Sequence, residues 1–140
     1  MAKNAYHDHL REVPIFAELE NDELDAIART ATELQFEPGT VLMNEGTIAH
    51  DMVFVLEGTL EVTRDGEHIA DIGPGGFAGE MALLTRATRN STVRAKTPIT
   101  IIHIDGRSFS SLLEDVPQIA VKMLPVVAGR VTANSDHHSH

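Results

Sequence analysis

Apolar positions near the start of the chain recur at helical spacing. Leu24, Ile27, Ala28 and Ala31 follow the i, i+3, i+4, i+7 rule, which predicts an amphipathic helix over Asn21–Ala31. Asn21 is its expected N-cap, and Asp22 and Glu23 suit the positive end of the helix dipole. Just upstream, VPIF reads as a short turn that carries apolar side chains, with Phe16 as a core anchor. Residues 1–32 are thus expected to form an N-terminal helical part.

From Glu33 to Asp105 the period changes. Turn signals recur at Pro38-Gly39, Glu45-Gly46, Glu57-Gly58, Asp65-Gly66 and across Gly73 to Gly76. Between them lie VLMN, DMVFVL, TLEVTR and HIADI, short segments rich in Val, Ile, Leu, Phe and Thr, and NSTVRA and ITIIHID follow. Such punctuation predicts a mainly β fold, an antiparallel sandwich or jelly roll over residues 33–105. After Asp105 helical spacing returns. Asp105 can cap a helix through Phe109, Leu112 and Leu113, and Pro117 opens another at its first turn. That helix carries Ile119, Met123, Val127 and Val131 at steps of four, with Pro125 inside it, where a missing amide predicts a kink. Residues 106–135 are the C-terminal helices. Residues 136–140 close the SDHHSH tail, read as disorder ahead of a weak metal-binding tail. With no internal repeat or linker, residues 1–140 read as a single domain with helices at both ends of the β-roll.

The composition of the 140 residues, 42% apolar and 23% charged, is that of a soluble domain with its own core. There is no Cys, which excludes disulfides and thiolate metal sites and suits a reducing compartment without demanding one. The first residues lack the apolar core of a signal peptide, and no apolar run is long enough to cross a bilayer, so the expected location is cytoplasmic. The net charge of −10, with only 11 Lys and Arg, argues against nucleic acid and against an anionic membrane as partners. A small anion in a dedicated pocket stays open, because only the local field matters there.

Against that acidic background, Phe77 to Ala95, FAGEMALLTRATRNSTVRA, sets Arg86, Arg89 and Arg94 against the single carboxylate of Glu80. Gly79 and Glu80 begin a short helical fragment, EMALL, and glycines before it let an anion approach the backbone. Arg89 offers a planar fork to two oxygens of one phosphate, which suits a singly charged phosphodiester. A triphosphate would want the G-x-x-x-x-G-K-[ST] loop that this chain lacks. Glu80 only accepts hydrogen bonds, so beside an anion its natural partner is a sugar hydroxyl. Together they describe a ribonucleotide with one exposed negative charge. The local alternative is an ion pair between Glu80 and Arg89 on a surface loop.

The same stretch resembles the phosphate-binding cassette of the cyclic nucleotide-binding domain family, F-G-E-[LIM]-A-L, a short loop, then R-[AST]-A-[TW]-V-[RK]-A. Gly79, Glu80, Met81, Ala82, Leu83, Arg89, Thr92, Val93 and Ala95 fall in register. The resemblance extends over nearly the whole chain, through VPIFAELENDELDAIA, EPGTVLMNEGT, MVFVLEGTLEV and the helices after DGRSF. It implies a jelly roll that binds a cyclic nucleotide, with Arg89 as phosphate ligand and Glu80 as ribose ligand. Gly79, Met81 and Ala82 would add backbone contacts, Asn90 stands where many members have a small residue that touches phosphate or base, and Ser91 beside it is counted among the ligand-binding residues. Asn90 and Ser91 depart from the commoner small pair, which leaves adenine against guanine open; Gly76 and Ala78 replace the usual Asp and Phe. Counting without gaps from Arg89 puts Asn134 and Ser135 at the purine-reaching part of the last helix. The ligand so implied is cAMP, with cGMP as the alternative, and no cofactor, metal or catalysis is called for. Output is expected through the C-terminal helices to a separate partner or a homo-oligomer.

Three rival readings are weighed. Gly73, Gly75 and Ala78 satisfy the G-x-G-x-x-A dinucleotide fingerprint, but no long helix and returning parallel strand follow. A cupin-like metal protein would share the roll, yet His7/His9 and His138/His140 lie at the ends of the chain while His50, His68 and His103 are isolated. A degenerate jelly roll serving only as an interaction module is the remaining alternative. Ser108, Ser110 and Ser111 lack an apparent base, so their expected role is capping or solvation.

Overall fold

A computed structural model describes residues 7–138, with side chains through residue 132. Eight strands make two four-stranded sheets in which every pairing is antiparallel: β1 (Ala31–Phe36), β8 (Ile99–Asp105), β3 (Asp51–Glu57) and β6 (Phe77–Ala78) in one, β2 (Val41–Met43), β7 (Thr92–Ala95), β4 (Leu60–Arg64) and β5 (Glu67–Ile72) in the other. The helices are α1 (Asn21–Thr30), α2 (Glu80–Thr85), α3 (Gly106–Asp115) and α4 (Pro117–His138), with a 3-10 turn at Pro14–Phe16. This is the expected mainly β roll with helices at both ends.

Two apolar layers explain the longest hydrophobic runs. Val53, Val55, Ala78, Ile99 and Ile101 pack between the sheets with Leu60 and Val93. On the reverse face of the first sheet, Met52, Phe54, Ile102 and Ile104 meet Phe16, Leu24, Ile27, Phe109, Ile119 and Met123 from the helices. β3 and β8 are therefore covered on both faces, which is why their sequences run apolar without alternation. Phe16 is the core anchor expected of it, fully buried with its ring 4.8 Å from that of Phe54.

Some expectations shift locally. α1 is capped by Glu20, whose amide donates to the Glu23 carboxylate at 2.9 Å, and not by Asn21. The Asn21 side-chain oxygen instead accepts from Arg11 at 2.9 Å, so it is not turned to the helix amides. The helix stops at Thr30, and the residues after it form β1, an edge strand whose weak alternation concealed it. Asp105 does cap α3, accepting from the Ser108 amide at 2.9 Å and the Ser108 hydroxyl at 3.0 Å. α4 is assigned as one helix through Pro125 and runs to His138, past residue 135 where its end was expected. The stretch around Gly73 and Gly75 leads into the two-residue β6 and the six-residue α2, with no parallel strand among the described residues, so the dinucleotide reading falls.

Candidate functional site

Gly79 sets the local geometry. It precedes α2 with φ 96, a conformation that L side chains rarely adopt. A Cβ there would meet Met43 Cε at 2.6 Å, Arg89 Nη1 at 2.8 Å and the Asp51 carbonyl oxygen at 3.1 Å. Only glycine lets the backbone come this close to the arginine.

Arg89 is buried, and its main chain is pinned on both sides: its amide donates to the Thr47 carbonyl and its carbonyl accepts from the Gly46 amide, both at 2.8 Å. Its side chain reaches across the cassette. Nη1 donates to the Gly79 carbonyl at 2.7 Å, while Nη2 donates to the Asp51 carbonyl at 2.6 Å and to Asp51 Oδ1 at 2.7 Å. Asp51 Oδ2 lies 2.8 Å from His103 Nε2, so one carboxylate joins the arginine to β8. Burial pushes the Arg89 pKa down from its ordinary value, against the opposing pull of Asp51 and, less strongly, of Glu80. Arg89 is therefore a desolvated cation whose ion-pair partner is Asp51.

Glu80 is the most deeply buried carboxylate of the described residues, 1% exposed. Oε1 accepts from Arg130 Nη1 at 2.6 Å, and Oε2 is buried with no hydrogen-bond partner among the described residues. Arg130 also donates from Nη2 to the Phe77 carbonyl at 2.6 Å and lies 4.8 Å from the centre of the Phe77 ring. The surface ion pair between Glu80 and Arg89 is thus not formed: each is buried and each has its own partners.

Arg89, Glu80 and Arg130 share one cavity of about 400 Å³, lined by Gly79, Glu80, Met81 and Ala82 from the cassette helix and by Arg89, Asn90 and Ser91 after it. Val126, Gly129 and Arg130 of α4 complete its wall. Seven of the nine expected site residues therefore converge. Asn134 and Ser135 fall on α4, but their side chains lie outside the described residues. Three contributors were not expected from the sequence: Asp51, Arg64 and Arg130. Arg130 had a signal, being the one arginine of an otherwise largely apolar helix. Asp51 and Arg64 had none, because 38 residues separate Asp51 from Arg89 and 26 separate Arg64 from Asn90.

The histidines do not assemble as a cupin centre among the described residues. The one group of three candidate metal ligands, Glu61, His68 and Asp71, has ligand atoms within 4.8 Å of one another. It sits at an exposed edge, with Lys96 Nζ 2.9 Å from Asp71 and Arg94 Nε 3.8 Å from Glu61, so cations of the chain already answer its charge.

Residues 33–116 match the model of the cyclic nucleotide-binding domain, which spans the roll and α3. The chain belongs to that family. It is 34% identical over 116 residues to the cAMP-dependent protein kinase regulatory subunit of Yarrowia lipolytica, covering 81% of this chain and 31% of that protein. It is also 34% identical over 117 residues to glutaminase 2 of Bradyrhizobium diazoefficiens, covering 83% of this chain and 19% of that one. Among solved structures, the catabolite activator protein of Thermus thermophilus superposes with a TM-score of 0.74 at 21% identity, over 90% of this chain and 62% of that one, a likeness of fold. The chain thus spans less than a third of the length of these two curated relatives. No helix of the described residues is long and apolar enough to cross a membrane.

Proposed function

We propose that this domain binds cAMP as a regulatory sensor, with cGMP as the competing ligand, and passes the binding event to its C-terminal helices. One observation carries the reading. Arg89 and Glu80, whose Oε2 has no hydrogen-bond partner among the described residues, line a single cavity of about 400 Å³, a cation for a cyclic phosphate and an acceptor for a ribose hydroxyl. Gly79, Met81 and Ala82 supply the backbone between them. Asn90 and Ser91 flank the phosphate side, and Asn134 and Ser135, further along α4, are the proposed contacts to the base. The site calls for no cofactor, and the role is binding without catalysis.

The route of output follows from Arg130. It ties α4 to the cassette through Glu80 and Phe77, so a ligand that engages Glu80 acts directly on the contact that holds the helix. Val121, Leu124 and Val131 of α4 are 64%, 59% and 47% exposed, an apolar face that favours a protein partner or a homo-oligomer as the receiver. Isothermal titration of the chain with cAMP, cGMP and AMP tests the reading. Saturable 1:1 binding of a cyclic nucleotide, with AMP at least tenfold weaker, supports it. Heat signals at the level of dilution for all three would leave the degenerate interaction module as the better account.

A further inference from the structure

Arg64 ends β4 and is buried, 9% exposed, on the wall of the same cavity. Its Nε donates to the Asn90 carbonyl at 2.8 Å and its Nη2 donates to Ser91 Oγ at 3.3 Å. A guanidinium carries donors only, so Ser91 Oγ accepts from it. The Ser91 hydroxyl then donates onward to Asn90 Oδ1, 3.0 Å away. Arg64 fills one lone pair of Ser91 Oγ, and the hydroxyl proton goes to the Asn90 carboxamide oxygen. A carboxamide whose oxygen is held by Ser91 turns its NH2 group to the opposite side, and Asn90 lines the cavity beside Arg89.

The arginine is itself held firmly. Asp65 and Gly66, with φ of 53 and 82, make the two-residue turn that joins β4 to β5. The Asp65 amide donates to Glu45 Oε1 at 3.0 Å, and the Glu45 amide donates to Thr92 Oγ1 at 3.2 Å. The hairpin tip is thereby tied to the segment that follows Arg89.

We propose that Arg64 is a positioning residue of the ligand site: through Ser91 it locks the Asn90 carboxamide so that its NH2 group, and not its carbonyl, faces the ligand. The inference rests on the reading of this cavity as a cyclic phosphate site. It assigns Asn90 of this chain, held by Arg64, a part in the choice between the two exocyclic phosphate oxygens. Two N–H donors next to the Arg89 guanidinium suit an exocyclic phosphate oxygen, and they favour one of the two such oxygens over the other. The site should therefore distinguish the two diastereomers of a cyclic phosphorothioate, in which sulfur, a poor acceptor, replaces one oxygen or the other.

The test is a double-mutant cycle on Arg64→Met and Asn90→Ala, read as Kd for cAMP and as the affinity ratio of its Sp and Rp phosphorothioates. Each single variant should lose roughly tenfold in cAMP affinity, as expected for one hydrogen bond to a charged group, and the double variant should lose no more. The diastereomer ratio should fall to the same value in all three. Should Arg64→Met fail to fold, Ser91→Ala breaks the relay alone and must give the same ratio. Additive losses, or a ratio unchanged in Ser91→Ala, would overturn the inference. A ligand-free arm separates it from the functional reading: the Asn90 side-chain amide resonances should report one fixed orientation in the wild type and averaging in Ser91→Ala. Averaging already in the wild type would overturn the relay, whereas a fixed amide in a protein that binds no cyclic nucleotide would sink the functional reading and keep the relay.

Discussion

Arg130 on the last helix and Glu80 at the start of the cassette helix, 50 positions apart in the chain, meet at 2.6 Å, with the carboxylate almost wholly buried. Truncating the arginine leaves that carboxylate buried and uncompensated. Arg130→Met should therefore destabilise the fold by about 1–3 kcal/mol in urea denaturation, less than a fully buried pair because Arg130 is partly exposed. The distal half of α4 should loosen while the proximal half, anchored by Ile119 and Met123, keeps its protection. Hydrogen exchange checks both parts. With cAMP added to the wild type, residues 126–135 should gain protection and residues 117–124 should change little, Pro125 lying between them. Equal protection of the whole helix with and without nucleotide would rule out ligand-induced ordering of its distal half.

How far the sequence foretold this arrangement depended on range. The cassette was legible because Gly79, Glu80 and Arg89 lie within eleven consecutive positions and local geometry decides what they can do. β3 and β8 were legible as unbroken apolar runs, the mark of strands covered on both faces. β1 was not, since ATELQF alternates poorly and is held only by pairing with β8 from the far end of the roll. Nor was the true partner of Arg89. An arginine next to a glutamate in a short motif suggests a pair, but the strand order brings Asp51 to Arg89 and α4 brings Arg130 to Glu80. Cap choice failed for a similar reason: Asn21 is a good capping residue by type, yet Arg11 engages its side chain.

Glu80 should behave as a hydroxyl acceptor. Glu80→Gln is expected to weaken cAMP by about 1–3 kcal/mol, and 2′-deoxy-cAMP by clearly less, because the lost partner is the 2′-hydroxyl. Competition binding with the two nucleotides on both proteins gives the comparison. Equal losses would assign Glu80 to holding Arg130 alone.

Gly79→Ala should be costly both to fold and to site. The added methyl would sit 2.6 Å from Met43 Cε and 2.8 Å from Arg89 Nη1 in a left-handed backbone conformation. A loss of at least about 1 kcal/mol in stability follows from the backbone alone, with more from the displaced arginine. Thermal unfolding measures the first effect and cAMP titration the second. A variant as stable and as tightly binding as the wild type would show that the close approach is dispensable.

Asp105 makes a pH-dependent contribution whose sign is fixed. Hydrogen bonds from the Ser108 amide and hydroxyl hold its pKa below the ordinary carboxylate value in the folded chain. A depressed folded pKa means stability that is present at neutral pH and is lost as pH falls through that lowered value. Asp105→Ala should cost about 1 kcal/mol at neutral pH, the usual worth of an N-cap. The gap between variant and wild type should narrow below roughly pH 4, where the aspartate of the unfolded chain is also protonating. Urea melts at neutral and acidic pH supply the test, and a gap that widened in acid would contradict it.

If Arg89 binds the cyclic phosphate as proposed, thermal unfolding with and without nucleotide will read that contact. At a concentration 100 times its Kd, cAMP should stabilise the wild type by about 2.7 kcal/mol, a shift of several degrees in Tm, while AMP at the same concentration does far less. Whichever of cAMP and cGMP gives the larger shift is the preferred ligand. Arg89→Ala should need roughly ten to a thousand times more nucleotide for the same shift, because it removes the charge-assisted contact to the phosphate. Equal shifts in Arg89→Ala and wild type at every cAMP concentration would contradict the account.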